Sequence, residues 1–350
     1  MKQKRKIADV FGIAVPATAV VEVEDTPPVH CPEIDPNYKF FNEIIKKLLL
    51  WMDGVGATTM ILTGPTGCGK TSLFEQFCAR LGIGVYKVPC HGRLELQELI
   101  GGFRLVSAAG DQELPAGKPG KWESLLIAIK SLTGLGPKMI WVDGPVIMAM
   151  RESHLRPVVC MMDEFNFLHP SVFGGLNGIM DSSQFTISET GETVRAGAGF
   201  RMALTGNAVD GGADASLYRG IQKTNIAGLD RPCGARIEYN SATEDAVILG
   251  AACPHLAKDI VNVMVQLSQD VRKAFIAGKM ETTISTRKLV QWGKVMQARP
   301  WKSDTPAEIL ELMKKSLNFT LLDIRPPAEQ QAIHTMIESL FRTAATTKKP

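Results

Sequence analysis

A glycine-rich segment, GPTGCGKT, carries the strongest chemical signal in the sequence. It runs from Gly64 to Thr71 and matches every fixed position of the phosphate-loop pattern G-x-x-x-x-G-K-[ST]. In this pattern glycines let backbone N–H groups turn towards phosphate oxygens, the lysine contacts the β- and γ-phosphates, and the hydroxyl ligates Mg²⁺. The sequence therefore predicts that ATP and Mg²⁺ bind here, with nucleotide contacts from Gly64, Pro65, Thr66, Gly67, Cys68, Gly69, Lys70, Thr71 and Ser72.

Two acids follow an apolar run further along the chain. Residues 158–162 read VVCMM and precede Asp163 and Glu164. An uninterrupted apolar run is typical of a strand buried on both faces of a parallel sheet. At the end of such a strand, Asp163 is predicted to reach the Mg²⁺ shell together with Thr71. Glu164 is predicted to be the general base that activates the attacking water.

An amide and two arginines are candidates to complete a site for phosphoryl transfer. Asn207 ends a further apolar strand and can orient the water, although a Gly-Asn pair is also common in turns. An arginine near the γ-phosphate stabilises charge in the transition state, and Arg231 and Arg287 are the candidates. For any single arginine a surface ion pair is the alternative interpretation. Weaker candidates are Arg219 and Arg236.

These residues need a parallel sheet with helices on both sides. Apolar runs and helical spacing predict an α/β fold, in which strands of this sheet alternate with helices. The tip ETGE, with a glycine for the turn, predicts a β-hairpin at residues 185–195. The predicted strands are residues 60–63, 85–88, 158–162, 201–205 and 235–239, and the predicted helices are residues 42–52, 71–81, 122–132 and 146–151.

Changes in composition along the chain predict three regions. Residues 1–37 contain several prolines and no periodicity, so we expect an extended N-terminal arm. Residues 38–240 are expected to form the α/β ATPase domain, in which residues 106–121 are an exposed loop. Residues 241–345 show helical spacing almost throughout, which predicts a smaller, all-helical lid domain.

The composition is typical of a globular protein. The chain has 350 residues, 45% of them hydrophobic, and a net charge of +3. No apolar run approaches the roughly 18 residues that span a bilayer, and no leader pattern is recognised. Seven cysteines without a CxxC spacing indicate reduced thiols, so we expect a cytoplasmic protein without a membrane partner. The basic run Lys2–Lys6 is interpreted as a solvated tail, with an interaction arm as the alternative.

The order of these motifs resembles that of the AAA+ ATPases. A phosphate loop is followed by an Asp-Glu strand, an Asn-terminated strand, Leu229-Asp230-Arg231 and a helical region. The predicted hairpin looks like the helix-2 insert of the MoxR-like branch. Within that branch the chain is similar to the small, ATPase subunit of the aerobic cobaltochelatase. The similar stretches lie in residues 32–38, 199–207, 217–225 and 273–289.

The resemblance implies a homo-hexameric ring with ATP at the subunit interfaces. By position, Arg231 matches the arginine finger that reaches the neighbour's site, and Arg287 matches a lid arginine that senses the γ-phosphate in its own subunit. Members of this family commonly act with a partner that carries a von Willebrand factor A domain. They use ATP to remodel or activate a client, often a metal-inserting or metal-containing enzyme.

Three functions remain open at this point. The first is an ATPase that remodels a protein, and the second is a nucleic-acid motor for packaging or replication, encoded by a phage or mobile element. A loop that tracks DNA is expected to carry Lys or Arg, whereas the hairpin tip contains Glu189 and Glu192. The tip therefore favours a protein client. The third is a scaffold without turnover, which the intact Asp163-Glu164 pair argues against.

Overall fold

The computed structural model describes residues 2–106, 138–207, 229–298 and 305–346. The predicted helix at residues 122–132, nearly all of the loop at residues 106–121 and Arg219 lie outside the described residues. In chain order the strands are β1 (Lys2–Lys6), β2 (Val20–Glu24), β3 (Thr59–Thr63), β4 (Gly84–Pro89), β5 (Gly101–Val106), β6 (Lys138–Asp143), β7 (Val158–Asp163), β8 (Gln184–Thr186), β9 (Thr193–Arg195), β10 (Phe200–Gly206) and β11 (Cys233–Arg236).

Helices connect these strands and make up the C-terminal third of the described chain. They are α1 (Ile7–Phe11), α2 (Asn42–Met52), α3 (Lys70–Leu81), α4 (Leu96–Ile100), α5 (Pro145–Glu152), α6 (Pro170–Gly175), α7 (Asn177–Ser182), α8 (Ala242–Ala252), α9 (Lys258–Ile276), α10 (Thr286–Gln297), α11 (Pro306–Thr320) and α12 (Pro327–Thr346). Two short 3-10 segments lie at Phe165–Phe167 and Leu322–Ile324. Within the described residues, no helix is long and apolar enough to cross a bilayer.

A five-stranded parallel sheet forms the centre of the N-terminal part, as predicted. The strand order is β11-β3-β10-β7-β4, and every pairing in this sheet is parallel. Side chains of a strand alternate between the two faces. On β7, Cys160 and Met162 join one apolar core, whereas Val159 and Met161 join the other. The helices therefore cover both faces of the sheet, which confirms the predicted α/β sandwich.

The N-terminal residues differ from the extended arm that the sequence predicted. The basic run forms β1, which pairs antiparallel with β2, so these residues are not a frayed tail. Helix α1 follows β1 directly, and its Phe11 stacks on Phe77 of α3 with ring centroids 5.5 Å apart. Burial of Phe11 and Val23 holds this region on the sheet domain. The sequence did not show this because each apolar element is only a few residues long.

Two further antiparallel strand pairs lie outside the five-stranded sheet. The predicted hairpin is confirmed as β8 and β9. The other, β5 and β6, was not predicted. It interrupts the second helical crossover, between α4 and α5, whereas β8–β9 follows α7 in the third crossover. Helix 2 is the helix of the second crossover, so an insert in helix 2 would be at the position of β5 and β6. The prediction that residues 185–195 are this insert was therefore wrong.

From α8 onwards the described residues contain helices and a 3-10 turn. Side chains of all five helices, including Leu249, Leu267 and Trp292, form a third apolar core. Ser241 and Thr305 begin α8 and α11 with capping boxes, because each accepts a hydrogen bond from a backbone N–H and is paired with a glutamate three residues later. The fifth strand lies at Cys233–Arg236, slightly earlier than predicted, and it ends before this helical region.

Candidate nucleotide site

The predicted site residues meet at one edge of the sheet. Strands β3, β10 and β7 are neighbours, and all three run in the same direction. The phosphate loop follows β3, Asn207 follows β10, and Asp163 is the last residue of β7. Their carboxyl ends therefore lie side by side, which is the edge where open α/β sheets bind their ligands.

The phosphate loop depends on glycine at positions where a side chain would not fit. Gly64 has φ +148° and Gly67 has φ +75°, in the region that favours glycine. A Cβ at Gly64 would overlap the carbonyl of Ile237, and one at Gly67 would lie 2.5 Å from Cβ of Ser285. The loop is therefore packed closely against the segments that follow β11 and precede α10.

Lys70 begins α3 and turns its ammonium back over the loop. Nζ donates to the carbonyl oxygens of Gly64 (2.8 Å) and Pro65 (3.0 Å) and to Oδ1 of Asn207 (2.9 Å). The residue is only 7% exposed. Burial lowers the pKa of Lys70 below its usual value, and the charge of Arg287 also lowers it. The phosphates of a bound nucleotide would bring negative charge next to an ammonium whose hydrogen bonds here go to neutral carbonyl and amide oxygens.

A compact set of oxygen atoms surrounds Asp163. Thr71 Oγ1 donates to Asp163 Oδ1 at 2.6 Å, and Thr205 Oγ1 donates to the same oxygen at 2.5 Å. Thr205 also accepts the backbone N–H of Glu164 at 3.0 Å. Glu164 has the left-handed conformation, with φ 59° and ψ 42°, which is uncommon outside glycine. One buried hydroxyl therefore holds the carboxylate of Asp163 and the backbone of Glu164.

This donor set fits a magnesium ion. Thr71 and Asp163 offer a hydroxyl and a carboxylate within hydrogen-bonding distance of each other. Mg²⁺ prefers oxygen ligands and is usually held by one or two carboxylates, with phosphates and water completing its coordination. Both side chains are next to the loop that would hold the phosphates, so they can act together on a nucleotide-bound cation.

A lysine that the motifs do not include also reaches Asp163. Lys87 lies on β4, next to β7, and its Nζ is 3.5 Å from Asp163 Oδ2 and 2.8 Å from Glu75 Oε1. Burial lowers the pKa of Lys87, but the hydrogen bond to Glu75 and the charges of Glu75 and Asp163 outweigh this effect. The net result is a pKa above the usual value, so Lys87 carries a positive charge at neutral pH.

A cavity of about 500 Å³ lies beside the phosphate loop. One wall is formed by the segment before α2, including Tyr38 and Phe40, and another by α8 and α10. Arg287, in the first turn of α10, lines this cavity together with Gly67 and Ser72. The cavity is therefore placed to hold the base and ribose of a nucleotide whose phosphates lie on the loop.

A buried ion pair fixes the start of α10. Arg272 Nη1 lies 2.5 Å from Asp245 Oδ2, and the two side chains are 2% and 0% exposed. Thr286 donates to the other oxygen of Asp245 at 3.0 Å, and Arg272 Nε donates to the carbonyl of Ile284 at 2.7 Å. Since Arg287 directly follows Thr286, this network sets the position from which Arg287 faces the cavity.

Arg231 is not brought to this site. It lies just before β11, and its Nε is 2.5 Å from Oδ1 of Asp181 in α7. The first residues of β11 are at the amino edge of the sheet, whereas the phosphate loop is at the carboxyl edge. Five-residue strand β3 separates the two edges by roughly 16 Å. The weaker candidate Arg236 forms an exposed ion pair with Glu238.

Thr205 and Lys87 are the site residues that the sequence reasoning missed. Thr205 lies within an apolar strand, where a β-branched residue is unremarkable. Its position two residues before Asn207 was the available signal. Lys87 is the charged residue of a short strand that is otherwise mostly apolar, and a charge in a strand next to the Asp-Glu strand was a signal as well.

Comparison with known proteins agrees with this geometry. The model of the AAA domain of the dynein-related subfamily matches residues 59–121 and 125–219, and the CbbQ/NirQ/NorQ C-terminal model matches residues 244–302. An uncharacterized protein of Staphylococcus haemolyticus (strain JCSC1435) is 25% identical over 287 residues, covering 81% of this chain and 90% of that protein. An uncharacterized protein of Staphylococcus aureus (strain USA300) is 26% identical over 294 residues, with the same coverage.

The parallel sheet, the phosphate loop and the paired acids define the class of P-loop nucleotide-binding proteins. Within that class, the chain belongs to the MoxR-like AAA+ ATPases.

Proposed function

We propose that this chain hydrolyses ATP at the subunit interfaces of a homo-hexameric ring and uses the energy to remodel or activate a protein partner. The observation that carries the proposal is the oxygen cluster in which Thr205 fixes both Asp163 and Glu164 beside Thr71. A protein that only binds a nucleotide has no need of a second acid held in an uncommon backbone conformation.

Each residue has a proposed role in turnover. Lys70 and the backbone of residues 64–72 hold the phosphates, and the cavity holds the base and ribose. Thr71 and Asp163 would hold Mg²⁺, which, when bound, neutralises charge on the phosphate oxygens. Glu164 takes a proton from the attacking water, Asn207 orients that water, and Arg287 contacts the γ-phosphate in its own subunit.

The ring is supported by the position of Arg231. This side chain lies at the edge of the sheet opposite the phosphate loop, so it cannot serve the nucleotide of its own subunit. In a head-to-tail assembly it would face the nucleotide of a neighbour and act as an arginine finger. We propose the corresponding division of the chain into an N-terminal region 1–37, an ATPase domain 38–240 and a lid domain 241–345.

A protein client is supported by the charge of the hairpin β8–β9. The charge that supports it is that of the exposed Glu189 at the tip, because Glu192 is neutralised by a two-point ion pair with Arg151 at 2.7 Å. An acidic tip repels a phosphate backbone and suits a protein surface better. The partner we propose is a protein with a von Willebrand factor A domain. The client we propose is a metal-containing or chelatase-type enzyme.

The test uses a ring that binds ATP without turnover. Glu164→Gln removes the general base and should retain ATP while phosphate release falls to background. Lys70→Ala should lose nucleotide binding and serves as the empty control. Both variants would be isolated from nuclease-treated lysate of the native host, sized by mass photometry, and compared by mass spectrometry of bound proteins.

Three outcomes decide between the functions. A von Willebrand factor A protein or a metalloenzyme subunit that is enriched only on Glu164→Gln supports remodelling. Replication or packaging proteins, or partners that disappear with nuclease, would replace this proposal with a nucleic-acid motor. Undiminished phosphate release by Glu164→Gln would remove Glu164 from the mechanism.

A further inference from the structure

A permanent positive charge lies next to the carboxylate that is proposed to hold the metal. Lys87 Nζ is 3.5 Å from Asp163 Oδ2, the carboxylate oxygen that does not accept the two hydroxyl hydrogen bonds. None of the motifs that define the site calls for a cation here. Lys87 is 40% exposed, so it is not a core residue whose charge is merely satisfied by the fold.

The same ammonium has a second acceptor. Glu75 Oε1 lies 2.8 Å from Lys87 Nζ, closer than Asp163 does. Glu75 is in α3, four residues after Thr71, so both side chains lie on one face of this helix, one turn apart. Lys87 is therefore within reach of two carboxylates, and only one of them belongs to the proposed metal site.

Electrostatics makes these two positions unequal once a divalent cation is present. An ammonium beside Asp163 neutralises the carboxylate, and a divalent cation on the same carboxylate repels the ammonium. Two positive groups on one carboxylate disfavour each other, whereas an ammonium on Glu75 leaves Asp163 to the metal. The side chain of Glu75 offers that alternative without any change of backbone.

We propose that Lys87 is a positioning residue that sets the affinity of the site for Mg²⁺, because its ammonium is shared between Glu75 and Asp163 when the metal is absent and pairs with Glu75 alone when Mg²⁺ and ATP are bound. The inference rests on the proposed function, since it assumes that Asp163 holds the metal. A structural role would instead make Lys87 and Glu75 a surface ion pair that joins α3 to β4, and such a pair contributes little to stability and nothing to metal affinity.

The experiment measures metal binding directly, with Mn²⁺ as the probe. Free Mn²⁺ is followed by electron paramagnetic resonance while it is titrated into the full chain with a non-hydrolysable ATP analogue at low ionic strength. Lys87→Met should bind Mn²⁺ about fivefold more tightly, because the competing charge is gone. Glu75→Gln should bind it about threefold more weakly, because the ammonium then pairs with Asp163 alone.

Two controls complete the design. Lys87→Arg keeps the charge and should stay within about twofold of the unmodified protein. Lys46→Met breaks an exposed ion pair with Glu43 that lies on α2, and it should leave Mn²⁺ binding unchanged. Circular dichroism and the affinity for the metal-free analogue show whether each variant is folded.

The outcomes separate this inference from the proposed function. Shifts of opposite sign for Lys87→Met and Glu75→Gln support it, since loss of a structural brace would move both in the same direction. Equal affinities, or shifts of the same sign, overturn it while the metal site stands. If Asp163→Ala binds Mn²⁺ as well as the unmodified protein, the proposed metal site fails, and the inference fails with it.

Discussion

Thr205 connects the two acids of the site through a single hydroxyl group. It is 1% exposed, donates to Asp163 and accepts from the N–H of Glu164. Thr205→Val keeps the shape but removes both hydrogen bonds and leaves the N–H of Glu164 without its acceptor. We expect kcat to fall at least about tenfold because the backbone of Glu164, the proposed general base, loses the hydrogen bond that holds it, with a loss of stability of about 1–3 kcal/mol.

The measurement is steady-state phosphate release together with nucleotide affinity by fluorescence titration. Affinity should change little, since the phosphate loop is not altered. Thr205→Ser keeps the hydroxyl and should recover most of the activity. An unchanged kcat in Thr205→Val would show that the left-handed conformation of Glu164 does not need this hydrogen bond.

At the residue scale, sequence patterns predicted the members of the site that belong to a recognisable spacing. Lys70, Thr71 and Asp163 meet in the structure as expected. The roles of Thr205 and Lys87 could not be predicted from the sequence, because they depend on the register of neighbouring strands. Register brings Lys87 opposite Met161, two residues before Asp163, and no local pattern specifies that pairing.

At the element scale, the phosphate loop and the segment before α10 are in direct contact. Gly67→Ala should weaken ATP binding at least about tenfold, because a Cβ is strained at φ +75° and would overlap the side chain of Ser285. Ser285→Gly removes the overlapping atoms and costs little as a helix cap. The double variant should therefore bind ATP more tightly than Gly67→Ala alone, as measured by calorimetry.

The matched control for this prediction is Gly69→Ala. Gly69 also has a positive φ, of +99°, but a Cβ there meets no atom within 4 Å. Ser285→Gly should not rescue Gly69→Ala, because no overlap is relieved. If it rescued both variants equally, the contact between the loop and Ser285 would not be the cause.

The buried ion pair of the helical region should matter for stability. Arg272→Ala leaves Asp245 buried without its partner, and we expect the free energy of unfolding to fall by about 3–5 kcal/mol. Urea denaturation followed by tryptophan fluorescence reports this, since Trp292 lies in the same helical core. Lys46→Met, in an exposed pair, should change stability by less than about 1 kcal/mol. Similar losses in both variants would contradict the importance of burial.

A helix or strand could be predicted from the sequence where its own residues show a clear apolar spacing. The helix at residues 42–52 and the strand at residues 158–162 were predicted almost to the residue, because both have strong apolar spacing. The antiparallel pair β5–β6 was missed, since its strands are distant in sequence and no local pattern shows that they pair. The pairing of β1 with β2 was missed for the same reason, and the charges of β1 obscured it further.

At the scale of the whole molecule, the proposed catalytic groups lie on opposite edges of one sheet. Arg231→Ala should bind ATP nearly normally and lose turnover, because the transition state lacks its charge. Lys70→Ala should lose nucleotide binding. Mixing the two inactive proteins creates interfaces where an intact Arg231 meets an intact phosphate loop, so phosphate release should reappear. A mixture that is inactive at every ratio would contradict a role of Arg231 between subunits.

The opposite placement of Arg231 and the phosphate loop would also give the proposed ring a polarity. Each subunit would have one edge that supplies Arg231 and one edge that carries the phosphate loop. A pair of subunits would therefore complete a single site and leave one edge of each subunit unmatched. An open chain always has one site fewer than it has subunits, and only closure makes the numbers equal. Turnover per subunit should consequently rise with protein concentration and level off when the ring closes.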